Sequence, residues 1–235
     1  MNSTIILSDL HIGDNIHFKR LAAFLEIFEN FDRIILNGDF LDDLWSYDKT
    51  VTSEWSSLFD LLKRKEVIYL FGNHDRDTPE LRAATSDFID VYADTYNIPV
   101  GNLELVIKHG HTIYPRPDGI LYEKKKTTFG KWIQKTVKIL WYSVYPFVLT
   151  FRFLIEKNQG TLSKIQRNVV KVQNDRMKEY AKKHLEPHQI LVCGHSHLSE
   201  FSPELQFINA GANSYERVEY LSIRDEKMEL VTREL

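Results

Sequence analysis

Nine polar residues stand at the ends of short apolar runs, and their types are those that bind metal ions. They are Asp9 and His11, Asp39, Asn73 with His74, His109 and His111, and His195 and His197. In open α/β sheets ligands bind just past the carboxyl ends of strands. Neutral imidazole and carboxylate form the donor set expected for zinc, manganese or iron. The spacings Asp-x-His and His-x-His put both side chains on one side of an extended chain. Glycines at 38, 72, 110 and 194 adjoin these residues, where the backbone must turn sharply or approach closely. A single Asp or His at such an end is more often a cap or a turn former. Five loaded ends together are the argument for chemistry.

The elements that would position these residues follow from periodicity. Runs 4–9, 33–39, 67–73, 103–109 and 189–195 have the length and flanking residues of buried strands. Segments 17–30 and 54–65 have helical spacing, with Phe18, Leu21, Leu25 and Phe28 on one stripe and Trp55, Leu58, Leu61 and Leu62 on the other. Alternation of strand and helix predicts an α/β layered fold. After Ala210, segments 216–223 and 227–233 read as a terminal hairpin around Asp225 and Glu226. Between Gly119 and His184 the pattern becomes helical, over 123–145 up to a break at Pro146 and again over 161–184. None of the loaded strand ends lies there, so this stretch reads as an insertion.

Composition narrows the classes. The chain has 235 residues, 43% hydrophobic and 27% charged, which fits one globular unit with an inserted subdomain and excludes disorder, collagen and coiled coil. A lone Cys193 excludes a disulfide framework and a cysteine-rich zinc module, and fits a reducing compartment. The N-terminus lacks the basic start of a secretory signal, so a cytoplasmic location is expected. The net charge of −3 conceals an asymmetry: residues 118–186 hold 15 Lys and Arg against 6 Asp and Glu, or +9, leaving −12 elsewhere. The most apolar stretch is 139–155. Its charge-free part is short and broken by Pro146, too short to span a bilayer. It reads either as a core between the insertion's own helices or as a lid, with Trp141, Tyr145, Phe147 and Phe151 lining an acyl cleft. Lys124 to Lys126, Lys131, Lys135, Lys138, Arg152 and Lys157 flank it, so peripheral contact of 124–157 with the inner face of an anionic membrane is expected. The same charge with Trp132, Trp141 and Tyr142 also suits a nucleic-acid backbone.

In order, D-x-H (Asp9, His11), GD (Gly38, Asp39), GNHD (Gly72 to Asp75), HGH (His109 to His111) and GHSH (Gly194 to His197) resemble the calcineurin-like metallophosphoesterase superfamily. The resemblance spans residues 5–213 apart from the insertion. It implies a two-sheet sandwich flanked by helices, with 1–117 and 187–235 as the phosphoesterase domain and 118–186 as the helical insertion. It also implies two divalent ions, manganese first, with iron or zinc as alternatives. Asp9, His11 and His197 would hold one ion, Asn73, His109 and His195 the other, and Asp39 would bridge them. His74 would be catalytic with Asp75 as its orienting partner, and His111 would contact substrate or merely pack in its turn. Two such ions against two carboxylates and a hydroxide leave a centre of about +1, which attracts a phosphate ester or pyrophosphate for hydrolysis. The position of the insertion further resembles the UDP-2,3-diacylglucosamine pyrophosphatase branch, which acts on a lipid-linked nucleotide sugar. That branch usually has arginine where this chain has His74, and Asp where it has His111. A nuclease of the same superfamily is the alternative. A non-catalytic scaffold is disfavoured, because none of the seven ligand positions is missing.

Overall fold

A computed structural model of the protein describes residues 3–13, 18–41, 55–114, 159–213 and 217–235. Two mixed sheets lie face to face between helices. The first has the order β11–β10–β1–β2–β3–β4, built from β1 (Thr4–Leu7), β2 (Arg33–Asn37), β3 (Glu66–Leu70), β4 (Val91–Ala93), β10 (Arg217–Arg224) and β11 (Lys227–Glu234). Strands β1 to β4 run parallel, and β10 and β11 join antiparallel. The second has the order β5–β6–β7–β9–β8, from β5 (Tyr96–Val100), β6 (Leu103–Ile107), β7 (Gln189–Cys193), β8 (Glu200–Ser202) and β9 (Phe207–Asn209). Helices α1 (Phe18–Glu29), α2 (Ser56–Leu62) and α3 (Pro79–Thr85) connect the parallel strands, and α4 (Gln159–His184) precedes β7.

Strand alternation explains the layers. Ile5 and Leu7, Ile34 and Leu36, and Val67 and Tyr69 face α1 and α2, where they meet Phe24, Phe28, Trp55 and Leu58. Their neighbours Ile6, Ile35 and Ile68 face the second sheet and meet Leu105, Ile107, Ile190 and Val192. A strand covered on both faces must be apolar at every position, which is why these runs are continuous. On the far face, Leu191, Cys193 and Phe207 pack against Met177 and Ala181 of α4. The result is a helix–sheet–sheet–helix stack, and each fully buried aliphatic side chain contributes about 1.5–3 kcal/mol to it.

The five expected strands and the terminal hairpin are present, but each of the five stops short of its polar end. β1 ends at Leu7 and β7 at Cys193, two residues before Asp9 and His195. Four short strands, β4, β5, β8 and β9, and helix α3 were not anticipated. Three of the strands have only three residues, and β5 carries Pro99, which demotes an apolar run to an edge position. The start of α3 did carry a signal: Thr78 accepts from Leu81 N–H and Pro79 occupies the first turn. The insertion is described only from Gln159 onward. The expected helix at 123–145, the apolar stretch 139–155 and the basic residues of 124–157 lie outside the described residues. Among the described residues no helix is long and apolar enough to cross a membrane.

Candidate metal centre

The loops after β1, β2, β3, β6 and β7 converge at one end of the sandwich. The residues there are not extended, contrary to the expectation from their spacing. Asp9, His11, Asp39, His195 and His197 all have left-handed backbone, with φ of 54°, 46°, 51°, 64° and 61°. Such a conformation costs a non-glycine residue about 1–2 kcal/mol, and strain of this kind concentrates where function requires it. Left-handed backbone at these positions ends β1, β2 and β7. Pairing nonetheless continues beyond the strands, through Asp9 N–H to Gly38 O (3.1 Å) and His11 N–H to Asp39 O (2.9 Å). Gly38, at φ +76°, lies so close to His109 that an added Cβ would sit 2.5 Å from the imidazole.

Asp9 is fully buried and ties the two sheets together. Its Oδ2 receives the Ser8 hydroxyl (2.5 Å) and the His195 backbone N–H (2.8 Å). Its Oδ1 accepts no well-aligned hydrogen bond and lies 3.0 Å from His197 Nε2 and 3.9 Å from His11 Nε2. Asp39 Oδ1 receives His74 N–H (2.8 Å), while Oδ2 is 3.3 Å from His109 Nε2. His109 Nδ1–H donates to Asn37 O (2.8 Å), because a carbonyl can only accept. Its Nε2 faces Asp39 Oδ2 and, at 3.3 Å, Asn73 Oδ1. His195 uses the opposite nitrogen: Nε2–H donates to Tyr114 O (2.9 Å), leaving Nδ1 for the interior. Backbone partners that fix imidazole tautomers in this way are typical around metal ligands.

Three groups of donor atoms converge to within 4.8 Å: Asp9, His11 and His197; His11, Asp39 and His74; and Asp39, His109 and His195. Asp39 belongs to two of them. The last group is wholly buried, whereas His197 is exposed and His11 and His74 are half-buried. The centre therefore has a deep side and an open side. The donor set fits a divalent ion of the kind that takes imidazole, carboxylate and amide oxygen.

The titration behaviour agrees. Burial pushes the Asp9 carboxyl up, but His109, His197 and His11 outweigh it and hold the group well below the usual range. Asp39 behaves likewise, with burial overcome by His109 and His74. Burial opposes charge on His109, yet the Asp39 and Asp9 carboxylates raise it to about 10. A proton then takes the place that a metal ion would fill.

Asp75 is a buried acceptor of several hydrogen bonds. Its Oδ1 takes the backbone N–H groups of Asp39 (2.9 Å) and Gly72 (2.8 Å), and its Oδ2 takes Phe40 N–H (2.6 Å) and the Tyr69 hydroxyl (2.5 Å). It braces the two loops that carry Asp39 and Asn73. Burial and the Asp39 carboxylate push it up to about 6, against the pull of those donors. His111 lies beside the centre, its ring 5.5 Å from that of His109, and belongs to none of the three groups. Burial and His109 lower it to about 4. Sequence reasoning passed over Arg20 and Asn213, both buried. Arg20 donates to Leu10 O and to Asn213 O (3.2 Å), while Asn213 Nδ2 donates to Ser8 O (2.9 Å). They clamp the Asp-x-His loop. The one available signal was Asn-Ala-Gly-Ala-Asn after an apolar run.

The profile of the calcineurin-like phosphoesterase family matches residues 3–199. Comparison with curated proteins gave no match. Among solved structures, YfcE, a phosphoesterase from E. coli, is 13% identical, covering 97% of this chain and 92% of its own with a TM-score of 0.49. A Vps29 single mutant from Entamoeba histolytica is 12% identical over 99% of each chain, TM-score 0.48. The nuclease MPE of Pseudomonas putida is 20% identical over 45% of this chain and 53% of its own, TM-score 0.35.

Proposed function

The chain belongs to the calcineurin-like phosphoesterase family and is a hydrolase of phosphoric esters, and from that premise we propose that it works through a pair of divalent ions at the loops described above. The observation that supports this most is the convergence on His109 Nε2, which lies about 3.3 Å from both the Asp39 carboxylate and the Asn73 amide oxygen. Asp9 Oδ1, His11 and His197 would hold one ion on the open side. Asn73, His109 and His195 would hold the other in the deep pocket, and Asp39 would touch both. Ions bound there supply Lewis acidity, which polarises the phosphoryl oxygens and acidifies water. Manganese is the proposed resident ion.

The chain's own residues do the rest. Ser8 and His195 N–H immobilise one oxygen of Asp9, and His74 N–H immobilises one oxygen of Asp39, so the remaining oxygens are aimed before the ions arrive. Substrate enters from the open side, past His197 and His74. The His74 imidazole, poised beside His11 with ring centroids 4.9 Å apart, delivers a proton to the leaving oxygen. His111 is assigned to substrate contact.

The finer reading is a substrate with a nucleotide pyrophosphate and an acyl part, similar to UDP-2,3-diacylglucosamine, met at the inner face of a membrane. It is supported by the +9 charge and the apolar stretch of the insertion. Manganese-loaded protein assayed against a chromogenic diester, a monoester, single-stranded DNA and a diacylated nucleotide sugar tests both levels. Hydrolysis that a chelator abolishes and manganese restores is expected, fastest on the acylated pyrophosphate. Preference for DNA would replace the lipid reading with a nuclease, and activity untouched by chelator would overturn the metal mechanism.

A further inference from the structure

The loop that carries His195 and His197 is gripped from outside the sheets by one residue of α4. We infer that Asn174 is a positioning residue of the metal centre. This rests on the reading of His195 and His197 as ligands and extends that centre to the helix that closes the insertion.

The contacts are specific. Asn174 is fully buried. Its Nδ2 donates to Leu198 O (3.0 Å) and to Glu200 Oε2 (2.9 Å), immediately after His197. Its Oδ1 accepts the Ser196 hydroxyl (2.6 Å), between the two histidines, and Asn209 Nδ2 (3.2 Å). Asn209 in turn donates to Gly194 O (2.9 Å) and accepts Gly211 N–H (2.9 Å). Asn174 therefore holds the chain on both sides of His197, and through Asn209 it reaches the residue before His195.

The loop needs such a grip. His195 and His197 are both left-handed, at 64° and 61°, a conformation that unsupported non-glycine residues leave. Ser196 N–H reaches Gly194 O (2.7 Å) and Leu198 N–H reaches Ser196 Oγ (3.2 Å), so the loop's internal bonds are few. An asparagine side chain offers two donors and an acceptor of two bonds, and here all of that capacity is used. Ser196 acquires a role the sequence left unexplained: its hydroxyl is the handle that α4 holds. The helix itself is docked by other means, through Met177 and Ala181 on sheet 2 and Lys178 on Glu200 (2.9 Å), so Asn174 can be separated from mere docking.

The test compares Asn174→Ala, Ser196→Ala, the double variant and Lys178→Ala by Mn2+ titration against a chelating dye and by the melting of the metal-free proteins. Loss of a residue that orients a ligand costs about 10–100-fold in metal affinity. Each of the first two variants should lose that much, and the double variant should lose less than the sum of the two, because both remove the Asn174–Ser196 bond. Lys178→Ala should melt earlier yet bind Mn2+ within about twofold of the parent, a twofold change being only a small fraction of the expected effect. If Asn174→Ala fails to fold, Ser196→Ala, which deletes one oxygen, carries the test alone. Unchanged Mn2+ affinity in a folded Asn174→Ala or Ser196→Ala protein overturns the inference, as does an equal loss in Lys178→Ala. A parent protein that binds no Mn2+ would instead fail the metal-centre reading itself.

Discussion

At the residue scale, Asp75 and His74 are neighbours with opposite tasks, and substitution separates them. Asp75 is an internal brace: replacing it by Asn leaves several buried N–H donors facing an amide that can accept at only one oxygen. Each unsatisfied buried group costs about 1–3 kcal/mol. The metal-free Asp75→Asn protein should therefore unfold at clearly lower denaturant than the parent. His74→Ala should be as stable as the parent and retain its ions. Its turnover should fall by about 10²–10⁴-fold with KM little changed, as for a group used in the transition state. Normal turnover would end the proton-delivery role of His74, and an undiminished midpoint in Asp75→Asn would end the brace. The candidate site was legible in the sequence because Asp, Asn and His at five apolar run ends are hard to place by chance. The role of Asp75 was not, since its donors come from residues 36 and 35 positions away as well as from its own turn.

At the element scale, the parallel strands and their helices were legible because burial on both faces makes a strand apolar throughout. Strand ends were misread by two residues, since left-handed backbone at Asp9 and His195 is set by partners on the other sheet. Contact between the two sheets at the site is close. A Cβ on Gly194 would lie 1.7 Å from Ser8 Oγ, so Gly194→Ala must spread β1 from β7 and should cost both stability and metal affinity. The junction of α4 with β8 gives a pH signature. Glu200 is partly buried, which raises its carboxyl, but Lys178 and Asn174 lower it below its ordinary value of 4.5. A depressed carboxyl stabilises the fold above the unfolded value, and that stability is lost as pH falls through the folded value. Glu200→Gln should be less stable than the parent at pH 7 by at most about 1 kcal/mol, because the pair is partly exposed. The gap should close towards acid pH, read as converging denaturant midpoints. A gap that widens on acidification would contradict the assignment.

At the scale of the whole molecule, charge and burial set the order of events. The Asp39, His109 and His195 group is sealed, and the Asp9, His11 and His197 group opens to solvent. A chelator should therefore strip the protein in two phases, the first abolished by His197→Ala and the second slower; a single phase would contradict the two-sided centre. The layered architecture was readable from the alternation of elements, while the weight of the insertion was not. Its charge set it apart from the rest of the chain, and its described part, α4, packs on sheet 2 next to Cys193 and Phe207.

Metal stoichiometry measures the central claim most directly. Purified protein stripped and then reloaded with manganese should hold two ions per chain, and Asp39→Ala, which removes the proposed bridge, should hold none at full occupancy. Two fully occupied sites in Asp39→Ala, or no bound ion in the parent, would contradict the account.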